Sequence, residues 1–181
     1  GVSRCDHARI FQQYGVASFD STSPLRRAFK EDLGNYYTKE HHYTAIRVPQ
    51  VDANPKLKKR IIAGKVEQGK ARRLELDCMQ ALREFDNNRT NVRSVVDLLA
   101  DYSELCDVRR DYSAEYERIL NDRPWTKCPC NVCQDLGIHV VIFRGAERNR
   151  RRGFHNVYVT YQELHSATDA SVDAVALPRR R

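Results

Sequence analysis

Three cysteines fall within the run Cys128-Pro129-Cys130-Asn131-Val132-Cys133, and His155 follows after 21 intervening residues. Thiolate and imidazole are the ligands zinc takes, four at a time in a tetrahedron. Three sulfurs on one tight turn and an imidazole on the returning segment predict a closed Cys3His shell. Four protein ligands leave no position for water, so the predicted role of the Zn2+ is structural. Spacing leaves the fourth ligand open: His139 sits in an apolar run, and His165 lies further on. Disulfides are disfavoured, because Gly1 to Asp6 show no apolar secretory run and a cytoplasmic chain keeps its thiols reduced. Cytoplasmic location is therefore the expectation. Cys5, Cys78 and Cys106 stand alone and read as small buried apolar side chains.

A second reactive group is Asp20, which closes Val16-Ala17-Ser18-Phe19-Asp20. A carboxylate at the C-terminal end of a barrel strand sits where catalytic groups collect. Carboxylates also attack anomeric carbons as covalent nucleophiles. An aspartate before Ser21-Thr22-Ser23-Pro24 is, from the sequence alone, more often a turn or capping residue.

Charge is the third feature. The 181-residue chain carries a net +7. Eight basic residues (Lys56, Lys58, Lys59, Arg60, Lys65, Lys70, Arg72, Arg73) against Glu67 put +7 between 56 and 73, so the remainder balances to zero. A second knot is Arg144, Arg148, Arg150, Arg151 and Arg152, with Glu147 its only acid. Basic patches on a neutral body suit phosphate contacts. A solvated helix face and a charged loop would show the same pattern.

These groups need elements to hold them. A chain of this length with 41% hydrophobic residues buries a real core. No run of 18 apolar residues is present, so no membrane helix is expected. The spacing predicts a short helix over 5–14 stopped by Gly15, a strand over 16–19, and a helix over 24–33 opened by Ser23-Pro24. Residues 35–54 read as irregular. Asn54-Pro55 opens a long helical segment to about 85, weakened at Gly64 and Gly69. Further helices are predicted over 91–106, capped by Thr90, and over 109–120, ended by Asn121-Asp122-Arg123-Pro124. Residues 138–143 read as a strand, 157–164 as helix or strand, and the chain from Ser166 as a disordered tail.

Together, Phe19-Asp20, Pro24 with Arg26, the Cys128/Cys130/Cys133 turn and His155-Asn156 resemble the tRNA-guanine transglycosylase superfamily. Tyr161-Gln162 and Leu164 continue the likeness, and the run Arg144 to Asn156 looks most like the DNA-modifying DpdA branch. The resemblance implies that Asp20 is the nucleophile and His155 the fourth zinc ligand. It implies a covalent aspartyl-glycosyl intermediate, with guanine in nucleic acid, DNA more than tRNA, replaced by a 7-deazaguanine. Arg26 and the arginines 144, 148, 150, 151 and 152 would contact nucleic acid. The implied fold is α/β, the C-terminal part of a (β/α)8 TIM-type barrel: a last repeat over 1–50, a basic helical insertion over 51–123, a zinc subdomain over 124–165 and a tail over 166–181. Ser21-Thr22-Ser23, Leu25 and Arg27-Ala28-Phe29-Lys30 depart from the family pattern. The base pocket and second acid belong to earlier strands, so a missing barrel portion or partner subunit is implied. The competing reading is a non-catalytic zinc module that binds nucleic acid as the accessory half of a split enzyme.

Overall fold

The computed structural model describes residues 8–16, 18, 20–106 and 110–169. In chain order the elements are α1 (Ala8–Gln13), α2 (Ser23–Lys30), β1 (Tyr36–Tyr37), β2 (His42–Tyr43), β3 (Ile46–Arg47), α3 (Pro55–Ile62), α4 (Gln68–Asp86), α5 (Val92–Leu105), α6 (Ser113–Asp122), α7 (Pro124–Lys127), α8 (Asn131–Leu136), β4 (Ile142–Phe143) and α9 (Gly145–Asp169). Short 3-10 turns at Val51–Ala53 and Gly137–Val141 link them.

Local chemistry explains most boundaries. Asn54 caps α3, its Oδ1 accepting from Lys56 N (3.0 Å) and Leu57 N (3.2 Å), with Pro55 in the first turn where no amide is missed. Gly64, at φ +69°, stops α3 and separates it from α4, so the long basic segment is two helices. The cap of α5 is Asn91 rather than Thr90: its side chain accepts from Ser94 N at 2.9 Å. Arg123 adopts φ +44° and ends α6, and Pro124 starts the next turn.

The strands are short. β1 and β2 form an antiparallel hairpin (Tyr36 opposite Tyr43), and β3 pairs in parallel with β4 (Ile46 opposite Ile142). The expected strand over 138–143 is corrected to a 3-10 turn followed by the two residues of β4. Ile138, Val140, Val141 and Ile142 are all buried, and an apolar run buried on every side carries no period to tell strand from helix. Gly137 turns the chain at φ +53°, and Asp86 Oδ2 accepts from Ile138 N at 3.0 Å. Of the strand expected over 16–19, Val16 and Ser18 are not in a strand, and Ala17 and Phe19 lie outside the described residues. Residues 35–54 are more ordered than they read, and 166–169 extend α9 instead of opening a tail. The rest of that tail, like Cys5, lies outside the described residues.

One buried cluster runs from Tyr36 to Ile142 and joins α3 to α6 with the cysteine turn and the segment around Trp125. Among the described residues the architecture is mostly helical with two small sheets, and no (β/α) barrel repeat is formed. The two-residue strands do not extend into a barrel wall. α2 packs along α9. Gly153 permits this approach: a Cβ there would lie 2.5 Å from Leu25 Cδ1 and 3.5 Å from Leu25 Cα.

A candidate metal centre

The turn after α7 carries Cys128, and α8 begins immediately after it. Cys130 is the N-cap of α8, its sulfur accepting from Cys133 N at 3.4 Å. Capping geometry sets two sulfurs three residues apart on one side of the helix start. α9 supplies the fourth group. His155 Nδ1 lies 3.6 Å from Cys128 Sγ, 3.4 Å from Cys130 Sγ and 3.3 Å from Cys133 Sγ. All four ligand atoms lie within 4.8 Å of one another.

These distances can be set against zinc. Bonds of about 2.3 Å to sulfur and 2.0–2.1 Å to nitrogen at the tetrahedral angle place sulfur and nitrogen about 3.6 Å apart. The three observed separations lie at or just inside that edge. Cys128, Cys130, Cys133 and His155 therefore fit a tetrahedral zinc, with Nδ1 as the imidazole donor.

The surroundings fix the imidazole. His155 Nε2 donates to the Tyr37 carbonyl at 2.8 Å, the outer hydrogen bond that sets the tautomer of a ligating histidine. Tyr36 stacks on the ring, centroids 4.1 Å apart and planes 6° from parallel, and its hydroxyl lies 3.3 Å from Cys133 Sγ. Burial, then the Cys133 sulfur, pushes the Tyr36 phenol well above its usual range. Hydrogen bonds with Cys128 and Cys133 favour thiolate at Cys130, whereas bonds with Cys128 and Cys130, with burial, hold Cys133 as a thiol. A divalent cation changes this balance, because zinc ligation deprotonates thiols outright.

Next to His155, the fully buried Asn156 ties three segments together. Its Oδ1 accepts from Tyr37 N at 3.0 Å. Its Nδ2 donates to the carbonyls of Pro24 and Asn35, each at 3.1 Å. Asn35 in turn accepts from Ala45 N (2.8 Å) and donates to the Glu31 carbonyl (2.9 Å). Sequence reasoning missed Asn35, Tyr36 and Tyr37. The adjacent tyrosines carried no ligand chemistry of their own.

The other candidates are placed as follows. His139 is not in the cluster; its Nδ1 meets Arg148 Nη1 at 2.8 Å, and burial, then Arg148, lowers its pKa below the usual histidine value. His165 is exposed on α9, edge-on to Tyr161. Asp20 is exposed in the segment before α2. Pro24 lies in the first turn of α2, so the chain leaving Asp20 is fastened to Asn156 within four residues. Cys78 and Cys106 are buried as expected.

The arginine knot divides. Arg152 is corrected: it is 0% exposed, and its guanidinium donates to the carbonyls of Ile142 (3.2 Å) and Ala28 (2.6 Å) and to Asn149 Oδ1 (2.8 Å). Such a side chain cannot also reach a phosphate. Arg144 pairs with Glu75, and only 16% of its side chain is exposed. Arg148 is half-buried against His139. Arg150 is exposed, Arg151 is exposed and paired with Glu147, and Arg26 is exposed on α2. Among the described residues no helix is long and apolar enough to cross a membrane.

No protein-family model matches this chain. A curated protein named DNA-guanine transglycosylase, from Salmonella montevideo, is 49% identical over 168 residues. That match covers 91% of this chain and 40% of the relative, so the chain spans about two fifths of the relative's length.

Proposed function

We propose that this chain is the C-terminal portion of a base-exchange transglycosylase of the DNA-modifying type, built around a structural zinc held by Cys128, Cys130, Cys133 and His155. The observation that carries the reading is the 49% identity to a protein named DNA-guanine transglycosylase. The metal geometry supports it, because the resemblance calls for the same Cys3His set and His155 is the imidazole that meets the three sulfurs.

In this reading Asp20 is the nucleophile. Its carboxylate oxygen attacks C1′ of a deoxyguanosine as the C1′–N9 bond breaks, and guanine leaves with the bonding pair and takes up a proton. An aspartyl-glycosyl ester results. The N9 of an incoming 7-deazaguanine gives up its proton and attacks C1′, and the ester bond breaks to return the carboxylate. The reaction involves no change of oxidation state. Proton transfer and base recognition fall to residues of the barrel portion that this chain does not match in the relative, on the same polypeptide or on a partner subunit. The DpdA branch and DNA over tRNA follow from the same resemblance.

In this reading a closed zinc site matters to a nucleophile that lies outside it. A zinc held by the four ligands would fix His155; the adjacent Asn156 donates to the Pro24 carbonyl, and Pro24 leads back to Asp20. A bound metal would in this way restrain the segment that carries the carboxylate without touching the substrate.

The test uses this chain together with the remaining barrel portion and a deoxyguanosine-containing oligonucleotide. Mass spectrometry should find a covalent DNA adduct at Asp20 and exchange of labelled 7-deazaguanine. Asp20→Ala should abolish both while retaining one zinc per chain. Exchange that survives Asp20→Ala refutes the nucleophile, and exchange by the isolated chain refutes the need for the barrel portion.

A further inference from the structure

The entire net charge of the chain equals that of residues 56–73, yet no step above uses them. The structure separates that charge into committed and free groups. Arg60 donates to the carbonyls of Glu104 (3.2 Å) and Leu105 (3.1 Å), closing the end of α5. Arg72 pairs with Asp52 at 3.0 Å. Lys56, Lys58, Lys59, Lys65, Lys70 and Arg73 are all exposed, and none pairs with an acid among the described residues.

Lys56, Lys58 and Lys59 stand on α3, which is anchored by Leu57, 0% exposed in the core between the two flanking lysines, and capped by Asn54. Lys56 lines a cleft of about 570 Å3 in which Arg47, Arg110 and Arg144 are each paired, with Asp32, Glu115 and Glu75, so Lys56 is its unpaired cation among the described residues. The unpaired cationic surface therefore runs from Lys56 at the edge of this cleft along α3 to Lys65 in the α3–α4 turn. It ends where Asp101 and Glu104 of α5 share a groove with Lys65 and Lys70.

Unpaired lysines spaced along a helix make point-charge contacts, which suit phosphates and carry no base readout. A bilayer fits poorly, since interfacial helices insert a broad apolar face and the exposed large apolar side chain of α3 is Ile62 alone. We propose that α3 and the α3–α4 turn form the surface that grips the phosphodiester backbone of the nucleic acid, through Lys56, Lys58, Lys59 and Lys65. This rests on the nucleic-acid substrate of the reading above and adds where the strand is held.

The test is fluorescence anisotropy of a labelled DNA duplex with the zinc-loaded chain, between about 50 and 200 mM salt. Removing three phosphate contacts with Lys58→Ala, Lys59→Ala and Lys65→Ala should flatten the slope of log affinity against log salt by about 2.7. Binding at low salt should weaken at least tenfold. The same charge change at exposed sites elsewhere, Lys30→Ala, Lys39→Ala and Lys127→Ala, should leave the slope near the parent value. Circular dichroism and zinc content confirm that both variants are folded. An unchanged slope in the α3 variant, or no DNA binding by the parent chain, overturns the proposal. So does loss of binding to phosphatidylserine vesicles without loss of DNA binding, which would assign the surface to a membrane. Lysine-dependent binding with no base exchange in the reconstituted enzyme would instead sink the transglycosylase reading and leave this one standing.

Discussion

Asn156→Ala isolates the link between the Cys3His cluster and the segment after Asp20. Asn156 is 0% exposed and makes three hydrogen bonds to main-chain groups of Tyr37, Pro24 and Asn35. Alanine leaves one buried amide and two buried carbonyls without this partner. Each unsatisfied group costs about 1–3 kcal/mol, and partial relaxation brings the sum to about 4 kcal/mol. For a domain of this size that lowers the melting temperature by about 10 °C. Zinc binding should weaken as well. Tyr37, whose amide Asn156 holds, presents the carbonyl that takes the Nε2 proton of His155, and losing such an outer contact costs about 10- to 100-fold in metal affinity. Urea unfolding of the zinc-loaded protein measures the first effect, and competition with a chromophoric chelator the second. Asn156→Asp, which keeps the acceptor for Tyr37 N but sets a carboxylate against two carbonyls, should fare no better. A stability loss under 1 kcal/mol with unchanged zinc affinity would refute the reasoning.

Two further outcomes follow from buried charge. Arg152→Ala should destabilise the fold by about 3 kcal/mol, since it strands the acceptors at Ala28 and Ile142 and removes packing over Phe143; the salt slope of DNA binding should not move, and a flattened slope would return Arg152 to the surface. Zinc binding should compete with protons. In the metal-free chain burial lowers the His155 pKa, but contacts with the Cys128 and Cys130 sulfurs and the Tyr37 carbonyl outweigh it and raise it from 6.5 to about 9. A raised value contributes stability that is complete below about 6.5 and is lost as pH climbs through about 9, whereas zinc must expel that proton and binds more tightly over the same interval. The melting-temperature gap between zinc-loaded and chelator-treated protein should therefore widen from pH 6.5 to 9, and a flat or narrowing gap would refute this.

How much was legible beforehand depended on whether the signal was local. Cys128, Cys130 and Cys133 announce a metal turn because three soft ligands within six residues have few other uses. Asn54-Pro55, Gly64 and Arg123-Pro124 act on their own backbone, so those helix boundaries could be read or anticipated from the sequence. The Ile138 to Phe143 run could not, because burial on all sides erases its period. Thr90 and Asn91 are both good caps, and the backbone chose the second.

The choice of His155 over His139 and His165 lay beyond spacing and needed either the family likeness or the tertiary fold. Which cations face a partner was likewise undecided. Arg152 and Lys58 look alike as letters in two basic runs, yet one is clamped by carbonyls inside the fold and the other stands in solvent. By itself the sequence determined which groups exist, their total charge, and the turns and caps that depend on near neighbours. Only the tertiary structure decided their company. A guanidinium or an imidazole takes its role from the partners that desolvate and bond it, and those partners, Ala28 to Arg152 and Tyr37 to His155, come from more than a hundred residues away.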